Sequence, residues 1–455
     1  MPWPASSATL LLSAYAHYAV PARFVKRGWL LAIPLSITTT TIKAWVTTAE
    51  KRGEATGVVG AAVAAGASAG LAAAAMLCWH KVIGLVVFPG QVCARVGRVD
   101  KAGAMWDAMP QAMRQLAYAS PDNLRPYARK RREQFESALG VRSREVRIPV
   151  PGTDAWLHGV VLVPPGGLDD TRGPAPVAVV LQGNSGCWEH DLAFNANTLV
   201  PFLRCGCAVL LYNPQALGSC DPEDAAGMPT FRPLATRDGL VGDCLAAVAA
   251  ATRLPSSLTS GLTEKPAWLG TDDVGAPPPD PRNVLICGHS LGGAVACAAA
   301  AACAHGGDSA APWLDKATAP HVTAVCASRS FDALTCVAGM WLEVMTGLPE
   351  SAAYLLSVAL VGALGGWDLC PRRDLARAAP HLAHAWVEYH PRDRICVPPC
   401  QLDKAPRPFA GNVVVLDEQV KGDAHNRELT EKELEQRLAH VVQWRQRSLA
   451  CNPSS

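Results

Sequence analysis

One serine in this chain stands in a setting where a serine can act as a nucleophile. The segment Gly288-His-Ser290-Leu-Gly292 follows the short apolar run 284–287 and precedes the alanine-rich stretch 293–304. A strand, a tight turn and a helix in this order hold the serine at the apex of the turn. Such a turn is strained, so its neighbours must be glycines that lack a Cβ atom. The pattern predicts a nucleophilic serine, with a purely structural glycine-rich turn as the alternative.

A serine hydroxyl needs a base to accept its proton, and the base needs a carboxylate to orient it. We expect both groups after later strands, because the carboxyl ends of parallel strands lie at one edge of a sheet. Asp393 comes just after the predicted strand 385–389, and His425 follows the predicted strand 413–416. Ser290, Asp393 and His425 are therefore the predicted catalytic triad. The sequence also contains competing acids and histidines: Asp368, Asp374, Asp417, His384, His390 and His440.

Acyl transfer further requires N–H donors for the charge that develops on the carbonyl oxygen. The backbone N–H of Leu291, the residue after the serine, is the first predicted donor of this oxyanion hole. The second should come from the loop after the predicted strand 177–181, which reads Gln182-Gly-Asn-Ser-Gly-Cys-Trp-Glu189. In this loop Gly183 permits a tight turn, and we select the amide of Asn184. An ordinary Gly/Asn turn is the alternative.

These residues require a sheet whose strand ends meet, and the remaining elements predict one. From residue 141 onward, apolar runs of strand length alternate with helical segments, which indicates a mostly parallel, doubly wound α/β sheet. The predicted strands are 146–150, 156–163, 177–181, 208–212, 284–287, 321–326, 385–389 and 413–416. Two segments interrupt this rhythm: a Pro/Gly-rich insertion at 254–282 and a helical lid or cap at 331–380. The apolar part of the cap either lines an acyl-chain pocket or packs as an ordinary helix.

Residues 1–140 differ in composition from the α/β domain, which is expected over residues 141–455. This region is predicted to be helical and rich in Ala and Gly. Residues 55–79 contain no charged side chain, and a second uncharged run follows at 82–94. The length suffices for a membrane span, whereas large apolar side chains are few. Membrane contact through this region and a buried alanine-rich helix both remain open.

Composition excludes several classes of protein. Hydrophobic residues make up 49% of the 455 residues, so the chain is not disordered, and a net charge of +2 gives no indication of a nucleic-acid partner. The 16 cysteines lack the spacing of zinc ligands. Many of them lie in apolar segments, which favours an intracellular, reducing compartment over a disulfide scaffold. We interpret the basic cluster at 125–132 as a solvated helix face rather than an anion-binding patch.

Three motifs now carry a resemblance to a known family. Gly183-Asn-Ser-Gly-Cys-Trp-Glu189, Tyr212-Asn-Pro-Gln-Ala-Leu-Gly-Ser219 and Gly288-His-Ser-Leu-Gly-Gly293 match the α/β-hydrolase superfamily in order and spacing. The resemblance covers residues 145–450. The Gly-Asn loop is similar to that of membrane-associated phosphatidylserine lipases and of monoacylglycerol-lipase-like serine hydrolases. The sequence departs from this pattern after Pro214, where Gln-Ala-Leu-Gly replaces the usual glycine and small residue.

The resemblance implies an α/β-hydrolase fold and a serine esterase of the lipase-like type. Its substrate would be a lipid or another acyl ester, cleaved through an acyl-enzyme without a metal or an organic cofactor. A thioesterase, an acyltransferase or a peptidase could use the same triad. A different class of function is a non-catalytic, membrane-tethered interaction protein with the same fold. Another segment, Ser328-Arg-Ser-Phe331, resembles one found in hydrolase-like proteins of intracellular bacteria.

Overall fold

The computed structural model of the chain is built around one eight-stranded sheet. The structure describes Gly66, Trp79, Ile83, Gly84, Val87 and Leu314 together with residues 121–151, 155–164, 175–184, 186–217, 235–253, 279–306, 322–402, 412–420 and 423–451. Most of the uncharged runs 55–79 and 82–94 therefore lies outside the described residues, as does most of the expected insertion 254–282.

The sheet has the strand order β1-β2-β4-β3-β5-β6-β7-β8. The strands are β1 (Arg142–Pro149), β2 (Trp156–Val163), β3 (Ala175–Leu181), β4 (Ala208–Tyr212), β5 (Pro279–His289), β6 (Val322–Ser328), β7 (His384–Tyr389) and β8 (Val413–Val415). β2 is antiparallel to both of its neighbours, and the other neighbouring strands pair in parallel. The expected α/β-hydrolase fold with its mostly parallel sheet is confirmed.

Helices connect the strands. They are α1 (Pro121–Leu139), α2 (Trp188–Phe194), α3 (Val200–Arg204), α4 (Arg237–Arg253), α5 (Leu291–His305), α6 (Leu334–Thr346), α7 (Glu350–Ser357), α8 (Pro371–Ala378) and α9 (Glu431–Cys451). A 3₁₀ turn (Ala196–Leu199) lies between α2 and α3, and a π-helical segment (Val358–Leu364) follows α7.

The central strands are continuous apolar runs because both of their faces are covered. Val180 and Leu285 belong to the core that the sheet shares with α1, α2, α3 and α9. Val179 and Ile286 are the strand neighbours of these two residues, so they point to the opposite face of the sheet, and they are also buried. They face the side on which α4, α5 and α8 pack. Small side chains allow α5 to lie close to the sheet, and all of its residues from Leu291 to Cys303 are buried.

β5 begins earlier than the sequence predicts. It starts at Pro279, so residues 279–282 belong to the strand and not to the expected insertion. Pro279 pairs with Ala175, and the register of the pairing with β3 shifts between Ala175 and Val177. A proline, which has no N–H group to donate, is tolerated at such an irregular start of a strand.

The chain divides into two compact units whose boundaries differ from the expected boundary at residue 140. One unit contains residues 1–86 and 338–368, and the other contains residues 87–337 and 369–455. α1 belongs to the unit of the sheet because it packs on α2 and β1. α8 lies within the expected cap, 331–380, but it belongs to the unit of the sheet because it packs on α5.

Within the first unit, Trp79 and Ile83 contact the π-helical segment after α7 and the glycine that follows it. The indole Nε1 of Trp79 donates a hydrogen bond to the carbonyl oxygen of Leu360 at 2.8 Å. Ile83 is buried, and a Cβ atom placed on Gly365 would lie 3.1 Å from its Cγ2 atom. In the part of the chain that the structure describes, we find no helix with both the length and the apolar character needed to span a bilayer.

The basic cluster of α1 is only partly solvated. Lys130 is exposed, as the sequence interpretation requires. Arg125 is instead buried, and it forms an ion pair with Glu145 of β1 at 3.1 Å. Arg132 reaches the same carboxylate at 3.0 Å. The interpretation as a solvated face is therefore wrong for Arg125, because β1 places an acidic residue under the helix.

Candidate active site

Ser290 lies at the turn between β5 and α5, as the sequence predicts. Its backbone has φ 54° and ψ −120°, a conformation that non-glycine residues rarely adopt. A Cβ atom on Gly288 would lie 2.1 Å from the carbonyl oxygen of Gly292. A Cβ atom on Gly292 would lie 2.3 Å from the carbonyl oxygen of Gln182. Close backbone contacts therefore require both glycines, and they hold Ser290 at the carboxyl end of β5.

The structure brings the three predicted triad residues together. The Oγ atom of Ser290 lies 2.9 Å from Nε2 of His425, and Nδ1 of His425 lies 2.7 Å from Oδ2 of Asp393. All three residues are buried. With Nδ1–H donating to the carboxylate, Nε2 is free to accept the serine proton. The three side chains come from the carboxyl ends of β5, β7 and β8, where the parallel sheet aligns them.

Asp393 is fixed by contacts on both carboxylate oxygens. While Oδ2 faces His425, Oδ1 accepts hydrogen bonds from the backbone N–H groups of Ile395 at 2.8 Å and Cys396 at 2.9 Å. The side-chain amide of Gln401 donates to the carbonyl oxygens of His390 and Cys396, which closes the loop around the acid. The carboxylate is thus held in one orientation toward the imidazole.

Four of the alternative candidates for the acid and the base contact other groups. His384 and His440 face each other, with Nε2 of the first 3.1 Å from Nδ1 of the second. Nε2 of His390 lies 3.2 Å from the carbonyl oxygen of Asp417. Asp374 lies in α8, where Oδ1 contacts Arg373. Among the described residues, these three histidines have no hydrogen bond to Ser290 or His425.

Arg329 is a site residue that the sequence reasoning missed. It follows β6, and NH1 of its buried side chain donates to the carbonyl oxygens of His425 at 2.8 Å and Arg427 at 2.7 Å. Its backbone has φ 49°, in the left-handed region. The only signal was the segment Ser328-Arg-Ser-Phe331, and that resemblance did not indicate which residue the arginine would contact.

A second histidine, His289, lies beside the triad. Its ring centroid is 5.0 Å from that of His425. Burial lowers the pKa of His289 well below its ordinary value, and the proximity of His425 and Arg329 lowers it further. His289 is therefore uncharged at neutral pH and contacts His425 as a neutral ring.

The two predicted oxyanion donors lie on the segments that flank Ser290. Leu291 begins α5, and the first N–H groups of a helix have no partner within the helix. Asn184 is in the exposed turn that follows Gly183. That turn comes close to the nucleophile, because a Cβ atom on Gly183 would lie 3.4 Å from Cβ of Ser290. A pocket adjoins both segments and is lined by Leu181, Gln182, Gly183, Gly186, Tyr212, Pro214, Leu240, Leu291, Gly292 and Val295.

Buried polar contacts support the loop that carries Asn184. The backbone N–H of Trp188 donates to Oδ1 of Asn213 at 2.9 Å, and Nδ2 of Asn213 donates to Glu189 at 3.0 Å. Burial raises the pKa of Glu189, although the bond from Asn213 opposes this effect. The end of β4 thus anchors the start of α2.

The departure from the superfamily pattern at Gln215 has a structural explanation. Its backbone N–H and its side-chain amide both donate to the carboxylate of Asp243, at 2.9 and 2.6 Å. Asp243 lies in α4 and is buried. Burial raises its pKa to about 7, against the effect of the two hydrogen bonds. Gln215 therefore ties the loop after β4, which includes Pro214 of the pocket, to the neighbouring helix.

Among the described residues, one group of side chains has the spacing of metal ligands. Donor atoms of Asp393, Cys396 and His425 lie within 4.8 Å of one another. Metal binding needs a thiolate, and burial together with Asp393 raises the pKa of the Cys396 thiol. Asp393 and His425 also share a hydrogen bond. This group therefore fits a hydrogen-bonded triad better than a metal site.

No protein-family model matches the chain, and no curated protein matches it either. Similar solved structures include a bacterial heroin esterase, with 16% identity, 70% of this chain and 90% of that chain covered, and a TM-score of 0.39. An esterase of Pyrococcus furiosus shows 13% identity, 67% and 92% coverage, and a TM-score of 0.40. Vibralactone cyclase shows 15% identity, 76% and 94% coverage, and a TM-score of 0.43. These similarities are too remote to assign an activity.

Proposed function

We propose that this chain, which has the α/β-hydrolase fold, is a serine hydrolase that cleaves an ester bond. The observation that carries the proposal is the continuous hydrogen-bonded row from Ser290 Oγ through His425 to Asp393, with distances of 2.9 and 2.7 Å. Ser290 precedes both Asp393 and His425 by more than a hundred residues, and the three side chains together supply the nucleophile, base and acid that acyl transfer requires.

In the proposed reaction, Ser290 Oγ attacks the carbonyl carbon of the ester while Nε2 of His425 takes the serine proton. The oxygen of the tetrahedral intermediate accepts hydrogen bonds from the N–H groups of Leu291 and Asn184. His425 then donates its proton to the departing alkoxide, which leaves as an alcohol. A water molecule, deprotonated by His425, hydrolyses the acyl-enzyme and releases the acid. Asp393 stabilises the imidazolium in both halves of the reaction.

The proposed substrate is a lipid or another acyl ester. Large apolar side chains of the cap helices α6 and α7 support this choice, since Trp341, Val344, Met345 and Leu356 are exposed. Exposed apolar groups that lie close together in sequence favour contact with an apolar partner such as a lipid surface. Contact with a membrane through the N-terminal region is part of the same proposal.

A fluorophosphonate probe tests the reaction class. The probe should label wild-type protein, and Ser290→Ala should abolish the label. Ser448→Ala is the matched control, because Ser448 is also buried but lies near the end of α9. Equal labelling of wild-type and Ser290→Ala protein, or no labelling of either, would sink the catalytic proposal. The second outcome would favour a non-catalytic interaction protein.

Turnover of p-nitrophenyl esters with acyl chains from acetyl to palmitoyl tests the substrate class. The lipid proposal predicts that kcat/KM rises with chain length. A preference for acetyl esters would refute it without affecting the triad. Matched thioesters and anilides should be slower than the oxygen ester; a faster thioester or anilide would replace the esterase assignment by a thioesterase or a peptidase.

A further inference from the structure

Ser328, the last residue of β6, and Ser330 both bind the backbone of the nucleophile. The N–H group of Ser290 donates to the carbonyl oxygen of Ser328 at 2.8 Å. Ser330 Oγ donates to the carbonyl oxygen of Ser290, also at 2.8 Å. Arg329 lies between these two serines, and its own N–H group donates to the carbonyl oxygen of Glu388 on β7. The backbone around Arg329 therefore has a fixed position relative to Ser290.

The side chain of Arg329 connects this segment to the loop of His425. NH1 donates to the carbonyl oxygen of His425 itself at 2.8 Å and to that of Arg427 at 2.7 Å. The guanidinium is buried, and no ion pair with a carboxylate is found for it in the described part of the chain. A buried arginine is normally paired with an acid. Here the cation instead binds two backbone carbonyl groups, one of which belongs to the predicted base.

Other contacts hold the same loop, but they act beyond His425 or do not reach Ser290. Asp423 accepts a hydrogen bond from the His425 N–H group at 3.0 Å, within the loop itself. Arg427 binds Glu433 at the start of α9. The Arg329 side chain joins the backbone carbonyl of the base to the segment that holds the backbone of the nucleophile.

We propose that Arg329 is a positioning residue that sets the distance between the Ser290 hydroxyl and the His425 imidazole. The inference rests on the proposed serine hydrolase function. Proton transfer between these groups depends steeply on their separation, and a displacement of about 1 Å lowers the rate roughly 10²-fold. Removal of the guanidinium should therefore lower kcat and leave KM nearly unchanged, because Arg329 is not expected to touch the substrate.

Arg329→Gly is the informative variant. Glycine adopts φ 49° without strain, so this change removes the side chain while easing the backbone. We expect kcat per folded chain to fall by about 10²-fold and KM to change by less than about threefold. Added ethylguanidinium should fill the vacated site and restore kcat in a saturable manner. Arg329→Lys, which retains a cation but not the guanidinium geometry, should lie between wild type and Arg329→Gly.

Arg445→Met is the matched control. Arg445 lies on α9 and also donates from NH1 to a backbone carbonyl oxygen, that of Cys205. The Arg445→Met substitution should lower the melting temperature without changing kcat per folded chain. Ethylguanidinium should not increase the turnover of this variant. If both Arg329 variants keep kcat within threefold of wild type, or lose activity only in proportion to the unfolded fraction without rescue, Arg329 is merely structural. If wild-type protein shows no Ser290-dependent turnover, the proposed function fails first and the inference with it.

Discussion

At the level of single residues, strained backbone conformations occur at the candidate active site. Ser290 and Arg329 are the two non-glycine residues with positive φ in the part of the chain that the structure describes. They follow the neighbouring strands β5 and β6, and the segment around Arg329 binds the backbone of Ser290. A strained backbone conformation persists only where the surrounding contacts enforce it. Residues in such conformations cluster at functional sites. The coincidence of strain and the hydrogen-bonded triad supports the assignment of this region as the active site.

The strain at Ser290 predicts that Ser290→Gly is more stable than Ser290→Ala. Both variants remove the hydroxyl and its bond to His425, so the comparison isolates the backbone. Relief of a positive φ outweighs the entropy that glycine loses on folding, and we expect a difference of about 1 kcal/mol in the free energy of unfolding. Urea unfolding of the two variants measures it. Equal stability would mean that the turn stores no strain.

Asp393→Asn should fold and lose activity. The asparagine oxygen can keep the contacts with Ile395 and Cys396, which places its NH₂ group against Nδ1 of His425. An NH₂ group there favours the tautomer with the proton on Nε2, which cannot accept the proton of Ser290. We expect kcat to fall roughly 10³–10⁴-fold with little change in KM. A loss below tenfold in steady-state turnover would contradict the assignment of Asp393 as the orienting acid.

At the scale of elements, the approach of β5 to α5 depends on glycine. Gly288→Ala should destabilise the protein by more than about 3 kcal/mol and abolish fluorophosphonate labelling, because its methyl group would overlap the backbone of α5. Gly66→Ala is the control. Gly66 is exposed and helical, and outside its own helix backbone no contact within 4 Å of an added Cβ is found in the described structure. It should keep full labelling and lose no stability in thermal unfolding; comparable losses in both variants would refute the steric argument.

A buried ion pair fastens α9 to β7. Nε of Arg437 donates to Oε1 of Glu388 at 2.9 Å, and NH2 contacts the other carboxylate oxygen. Burial raises the pKa of Glu388, but the charge and hydrogen bonds of Arg437 outweigh burial and hold the pKa at about 2. Because the folded pKa is below the ordinary value of 4.5, the pair contributes stability above pH 4.5 and loses it as the pH falls toward 2.

Glu388→Gln should therefore destabilise the chain at pH 7 by about 3–5 kcal/mol, since the Arg437 charge would remain buried without its acid. Between pH 4.5 and 2 the variant should lose less additional stability than wild type. Urea unfolding at pH 7, 4.5 and 2.5 measures both effects. Parallel pH profiles of wild type and variant would show that Glu388 does not account for the acid sensitivity.

Sequence reasoning selected three residues that lie together in the structure because its signals are local. Ser290, Asp393 and His425 each follow a recognisable apolar strand, and parallel strand ends meet at one edge. Arg329 and the Glu388–Arg437 pair gave no comparable signal. Their partners are distant in sequence, and a charged residue next to a strand is ordinarily solvated. Residue type and spacing therefore predict which polar groups meet at the strand ends, but not the buried cations beside them.

At the scale of the whole chain, the division into units also escaped prediction. The sequence suggested an N-terminal region up to residue 140 and a separate cap, yet residues 1–86 and 338–368 form one unit. The bond from Trp79 to Leu360 joins segments 281 residues apart, and composition alone cannot indicate such a pairing. By contrast, the mostly parallel α/β sheet followed from the short-range alternation of strands and helices.

The reactivity of the cysteine thiols tests how closely the interior of the folded protein is packed. Twelve of the described cysteines are present as thiols rather than disulfides; ten of these twelve are buried, whereas Cys336 and Cys370 are partly exposed. Burial raises the pKa of thiols such as Cys207, Cys244 and Cys297, which suppresses their reactive thiolate. In native protein at pH 7, iodoacetamide should modify the partly exposed Cys370 before these three. Peptide mapping by mass spectrometry tests the order, and early labelling of Cys244 or Cys297 would contradict the packed interior.

The two edge strands of the sheet affect whether one molecule can pair with another through its strands. β1 and β8 are its outer strands. An outer strand that is long and apolar acts as a template for a strand from a second molecule. β1 contains three arginines and a glutamate and ends at Pro149, and β8 has three residues. The same open sheet that aligns the strand ends near Ser290, Asp393 and His425 therefore has edge strands that resist pairing into intermolecular fibrils at high protein concentration.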